Sequence, residues 1–174
     1  GDYNQALMEL GALVCVPNGA PLCAACPLHD LCKARAAGTA PTLPRKAAPK
    51  ARKVAPVTVA LVESGGNFLI RQRPEKGLLA GLWEPLLWEG EALTPGELHE
   101  KFTAMGLVCE AEAIAPLPEA KHIFSHIEWR MTQYAVPAPP QPAPEGTVWA
   151  SREQLRTEYT LPGAFKACKK YLGL

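Results

Sequence analysis

The period of apolar positions divides the chain into stretches of different character. From residue 2 to about 14 they fall at helical spacing, with Ala6, Leu7, Leu10 and Val14 on one side and Asp2 as the N-cap. Gly11 weakens this helix, and so short a segment is marginal alone, so it is expected to rest on a metal loop or to belong to a larger helical body. Pro17-Asn18-Gly19 and Pro21 then turn the chain, and Pro27 opens a second short helix from Leu28 to about Ala37, with Cys32 on it. Between 38 and 55 no apolar period survives, and Ala, Pro, Thr, Lys and Arg give the composition of a flexible linker.

From Val57 the pattern becomes that of strands. Val57–Val62 is a β-rich run, Ser64-Gly65-Gly66-Asn67 is a hairpin turn, and Phe68–Arg73 returns until Pro74. Leu82–Glu89 is a further apolar stretch between glycines, and Thr94-Pro95-Gly96-Glu97 is a capping box that starts a helix running to about Met105. Strands follow from Leu107 to about Leu117 and from Glu128 to about Val136, with a polar loop from Lys121 to His126 between them. After a proline-rich loop at 137–144 come a short strand at 147–150, a second capping box at Ser151–Gln154 and a last helix from about Pro162 to Leu172. The pattern predicts an α+β domain over 56–174, preceded by a helical segment at 1–37 and a linker at 38–55.

Composition adds bounds. A chain of 174 residues, 48% apolar, holds one domain with an appendage or two small ones, and no apolar run reaches the length of a membrane span. Charges nearly balance, 18 basic against 17 acidic, so only their distribution informs. Lys33, Arg35, Arg45, Lys46, Lys50, Arg52 and Lys53 follow one another with no acid between them, as in a solvated tether or a nucleic-acid contact. With no export signal at the start, six cysteines favour metal or structural thiols over disulfides. The opening directly onto an amphipathic helix reads as a piece of something longer.

Cys109 and Cys168 stand alone as small buried apolar residues, whereas Cys15, Cys23, Cys26 and Cys32 cluster, with seven, two and five residues between them. Four thiolates hold either tetrahedral zinc or an iron–sulfur cluster. Zinc ribbons present two short pairs, and here only Cys23 and Cys26 form one. Asn4–Gly11 followed by these cysteines resembles the cluster end of the endonuclease III and MutY group of helix-hairpin-helix DNA glycosylases. The resemblance implies a [4Fe–4S] cluster on Cys15, Cys23, Cys26 and Cys32, with zinc as the alternative. The family spaces its ligands six, two and five, and the extra residue here falls in the turn at 18–21, where an insertion is absorbed. The family's catalytic carboxyl groups lie upstream of the Asn4–Gln5 helix, so this chain is expected not to cleave a glycosidic bond alone.

The second domain extends the likeness. Arg71-Gln72-Arg73-Pro74 and Gly77–Glu84 resemble the signature of the C-terminal domain of MutY-type adenine glycosylases, a Nudix (MutT)-like fold. A Nudix hydrolase gathers glutamates on one helix around magnesium. Aligning Gly106-Leu107 with the end of that motif puts His99, Glu100, Thr103 and Ala104 at the arginine, the first glutamate and the paired glutamates, with Glu91 at an earlier glutamate and Pro85 at a glycine. With the pair lost, a binding role is expected in place of hydrolysis.

Phe124-Ser125-His126 resembles the loop with which that family recognises 8-oxoguanine opposite adenine. Guanine N7 only accepts a hydrogen bond, but the same nitrogen is protonated in 8-oxoguanine, and a serine hydroxyl can accept from it. On this resemblance Phe124 packs beside the base and His126 bonds a phosphate or orients the loop; by residue type alone they are a core phenylalanine, a turn serine and a surface histidine. Phosphate contacts are expected from Arg45, Lys46, Arg52, Lys53, Lys121 and His122, while Trp83, Trp88, Trp129 and Trp149 are mostly core. The resemblance implies a monomer of the bacterial cytoplasm that binds double-stranded DNA containing 8-oxoguanine opposite adenine and no membrane. The rival readings are a Nudix phosphohydrolase with a metal-binding extension and a zinc-bearing interaction module.

Overall fold

A computed structural model describes residues 1–17, 19–45 and 51–174, which form two compact units, Gly1–Lys50 and Ala51–Leu174. Asn18, Lys46 and Lys50 lie outside the described residues.

The first unit opens with helix α1 (Asp2–Leu13), of which no residue is buried. Its N-cap is Gly1, one residue earlier than expected, and no side chain caps it. The second helix is also shorter than its pattern suggested. His29–Leu31 is a single 3-10 turn, Cys32 is extended, and only Lys33–Ala36 (α2) is α-helical. Cys32 is therefore the cap of α2, not a member of it: its Sγ accepts a hydrogen bond from the Arg35 backbone N–H at 3.4 Å. A further 3-10 turn at Ala40–Thr42 interrupts what read as linker.

The second unit is built on a six-stranded mixed sheet of β1 (Lys53–Ser64), β2 (Asn67–Gln72), β3 (Trp83–Glu89), β4 (Ala115–Ile123), β5 (Ile127–Pro137) and β6 (Thr147–Ser151). The spatial order is β4-β5-β1-β3-β2-β6, with β1 and β5 parallel and the other pairs antiparallel. Gly65 and Gly66, both at positive φ, close the two-residue turn between β1 and β2. Central β1 is apolar on both sides because it is covered on both. Val57, Val59 and Leu61 join Trp129, Met131, Phe165, Cys168 and Leu172, whereas Ala60 and Val62 join Leu98, Phe102, Leu107 and Tyr134 on the opposite face. Helices α4 (Arg152–Thr157) and α5 (Lys166–Leu172) thus cover one face and α3 (Pro95–Ala104) the other. Both expected capping boxes form, Thr94 with Glu97 and Ser151 with Gln154.

Four expectations for this unit are corrected. First, β1 begins at Lys53, so Arg52 and Lys53 belong to the sheet domain and not to a linker, because the parallel register with β5 starts at Lys53↔Ile127. Pro56 is tolerated inside β1: its carbonyl accepts from Gly90 N on the β3 side, where β3 has already ended, so its missing N–H interrupts no ladder there. Second, the strand expected from Leu107 begins only at Ala115, since residues 107–110 are irregular and Ala111–Ala113 is a 3-10 turn. Leu107 and Cys109 alternate inward like strand residues, but the Val108 backbone is bonded by the Gln141 side-chain amide instead of a neighbouring strand. Third, Lys121, His122 and Ile123 are the end of β4, paired with Arg130, Trp129 and Glu128, so the expected polar loop contracts to a tight turn at 124–126. The last helix likewise starts later, after a 3-10 turn at Gly163–Phe165.

Candidate nucleic-acid interface

The β4–β5 hairpin ends in a turn closed by the Phe124 N–H, which donates to the Ile127 carbonyl at 2.8 Å. Ser125 and His126 are exposed at its tip, while Phe124 is half-buried. The His126 carbonyl accepts from the Lys53 backbone N–H at 3.3 Å, which ties the first residue of β1 to the turn. Of the basic residues expected to accompany this turn, Lys53 is thus beside it through its backbone, Arg52 precedes it in the chain, and Lys121 and His122 lie on the strand leading into it. Lys121 faces Arg130 across the hairpin, and Arg130 Nε donates to Glu128 at 3.3 Å. Arg45 is an exposed residue of the first unit, and Lys46 is outside the described residues.

The turn is braced from within. The Phe124 ring meets His122 and Trp129 edge-on, with centroids 4.5 and 5.0 Å away, and Trp129 is fully buried. The Phe124–Trp129 pair contributes about 0.5–1.5 kcal/mol beyond its buried area. The Arg73 guanidinium lies over the Trp129 ring at 5.6 Å. Its three nitrogens are engaged: Nε donates to the Leu78 carbonyl at 2.7 Å, Nη1 to Glu84 at 2.5 Å and Nη2 to Glu89 at 2.5 Å. Burial alone disfavours the Arg73 cation, but hydrogen bonds to Glu89 and Glu84 outweigh it and raise the pKa above the ordinary arginine value. Glu84, 1% exposed, also accepts from Arg71 Nε at 2.9 Å. The sequence placed Arg71 and Arg73 in a signature without showing this cluster; the residual signal was two arginines on alternate strand positions and a glutamate inside an otherwise apolar strand.

On α3 the hydrolytic arrangement is absent from the side chains. Glu100, Thr103 and Ala104 are exposed, Thr103 bonds back to the His99 carbonyl, and Glu91 pairs with Lys101 at 2.8 Å. Three of the four tryptophans are half-buried. Trp83 packs on Tyr159 and Trp88 on Phe102, and Trp149 donates to the Gln141 carbonyl.

In the first unit Cys15, Cys23, Cys26 and Cys32 all line one cavity of about 60 Å³, with Val14, Pro21, Ala40 and Leu43 as its apolar wall. This donor set of four soft sulfurs in an apolar shell, one already accepting a backbone N–H, fits a thiolate-bound metal centre. Among the described residues, no three Cys, His, Asp or Glu side chains are gathered as the ligands of a single metal ion. Cys109 and Cys168 are buried elsewhere, and burial pushes the Cys168 thiol up to about 12. Among the described residues, no helix is long and apolar enough to cross a membrane.

A family model described as the NUDIX domain matches residues 57–171. Human adenine DNA glycosylase is 30% identical, aligned over 99% of this chain and 41% of the human protein. The mouse adenine DNA glycosylase is 31% identical over 88% of this chain and 39% of its own length. The chain thus spans about two fifths of the length of these curated relatives. Among solved structures, the C-terminal domain of mouse MUTYH, in complex with human PCNA, is 26% identical with a TM-score of 0.50, covering 67% of this chain and 86% of that one. The MutT protein of Methanosarcina mazei Go1, 16% identical with a TM-score of 0.54, covers 70% and 94% and shares the fold.

Proposed function

The chain belongs to the NUDIX-domain family, and from that premise we propose that its second unit reads DNA without hydrolysing nucleotides, as the 8-oxoguanine-recognising part of an adenine DNA glycosylase that removes adenine paired with the oxidised base. The observation that carries this reading is the braced turn, where Ser125 and His126 are exposed on a hairpin whose third member, Phe124, is pinned to Trp129. Similarity to adenine DNA glycosylases over 99% of the chain supports it. Hydrolysis is disfavoured by α3, where Thr103 and Ala104 offer no carboxylate and Glu91 is paired with Lys101.

Ser125 Oγ accepts the N7–H of 8-oxoguanine, a bond that guanine cannot offer because its N7 only accepts. Phe124 fixes the height of the turn against the base, His126 contacts a phosphate, and Arg52, Lys53, Lys121 and His122 add positive or donor groups along the backbone. In the first unit, Cys15, Cys23, Cys26 and Cys32 would hold a [4Fe–4S] cluster, which when bound supplies four covalent ties across residues 15–32. The chain's contribution is recognition; it is expected to bind duplex DNA and leave it uncut.

Binding of the 174-residue chain to duplexes carrying 8-oxoguanine or guanine opposite adenine tests this. One neutral hydrogen bond amounts to about 0.5–1.5 kcal/mol net, so the oxidised duplex should bind up to roughly tenfold tighter. Equal affinities, or magnesium-dependent release of pyrophosphate from an oxidised nucleotide, would contradict it.

A further inference from the structure

A second feature of the sheet domain lies on the same hairpin, behind the turn. Between edge strand β4 and helix α5 runs a groove of about 850 Å³, lined by Lys121 from the strand and Lys166, Lys170 and Tyr171 from the helix. Its floor is fixed. Buried Gln133 donates to the Pro118 carbonyl at 2.6 Å, where β4 shifts register, and accepts from the Cys168 thiol of α5 at 3.1 Å. Lys166 and Lys170 are four residues apart and share one side of α5, a like-charge pair that weakens a helix and that an anion between them relieves. Glu119 is the one acid in the lining, and none of the three lysines takes part in an ion pair among the described residues.

We propose that this groove binds the phosphodiester backbone of the duplex whose base is presented to the turn; the proposal rests on the recognition reading above. Spacing supports the assignment. Lys121 lies four residues before Ser125, at most roughly 13 Å along a strand, and a nucleic-acid strand advances about 3.4 Å per nucleotide. Lys121 of the groove therefore meets a phosphate within about four nucleotides of the oxidised base. Ammonium groups suit this task, since each neutralises a phosphate as a point charge without selecting a sequence.

The test is the salt dependence of duplex binding by the full chain, with 8-oxoguanine or guanine opposite adenine. Each neutralised phosphate contributes about 0.9 to the slope of log K against log salt. The double variant Lys166→Gln/Lys170→Gln should lower that slope by about 1.8 and weaken both duplexes by the same factor, leaving their ratio unchanged. Lys166→Arg/Lys170→Arg should keep the slope, and Lys169→Gln, on the same helix but outside the groove lining, should alter it far less. An unchanged slope in the double glutamine variant, or an equal loss from Lys169→Gln, overturns the groove. Equal affinity of the unaltered chain for the two duplexes contradicts the recognition reading alone.

Discussion

Glu97 shows how one exposed side chain sets the start of an element. Its carboxylate accepts the Thr94 backbone N–H at 2.8 Å and the Thr94 hydroxyl at 2.7 Å, and these bonds hold its pKa below the usual 4.5. A carboxylate depressed in the folded state contributes stability above its unfolded pKa and loses it as pH falls through the folded value. The stability difference between the chain and Glu97→Gln should therefore be full near about pH 6 and shrink toward about pH 3 in urea melts; a difference independent of pH would contradict the cap. This capping box was legible in the sequence because threonine, proline and glutamate act locally. Cys32 was not, because a thiol capping a four-residue helix depends on the extended backbone around it.

At the scale of elements, the turn at 124–126 is held by a chain of contacts that begins at Arg73, one residue past the end of β2. Arg73 joins Glu84 and Glu89 of β3 to the face of Trp129 on β5, and Trp129 carries Phe124. Removing one partner of a buried ion pair costs about 3–5 kcal/mol, because the other charge stays buried. Arg73→Met should fall toward the lower end of that range in denaturant unfolding, since Arg71 still serves Glu84, and should weaken the near-ultraviolet circular dichroism of the Trp129–Phe124 pair. Stability within about 1 kcal/mol of the unaltered chain would show that the pair is dispensable. None of these cross-strand contacts was readable from local pattern. The early start of β1 was equally hidden, since a basic, proline-containing segment becomes strand only through its parallel register with β5.

At the scale of the whole molecule, the two units divide the proposed work: the first carries a four-cysteine cavity and the second the braced turn. Iron and acid-labile sulfide, measured with the visible spectrum of freshly purified protein, should show about four irons per chain, and Cys26→Ser should lower that content. Zinc alone would point to a different centre. The alternation of α and β, the cysteine spacing and the Phe124-Ser125-His126 turn were all visible in sequence because each is local; the bracing of the turn and the lysine groove exist only once the sheet has formed. Discrimination at Ser125 is the claim on which the account depends. The direct measurement is the ratio of affinities for 8-oxoguanine and guanine duplexes, both opposite adenine, in the chain and in Ser125→Ala. The ratio should drop from up to roughly tenfold to near one, with affinity for the guanine duplex unchanged. A ratio that survives Ser125→Ala would place recognition elsewhere.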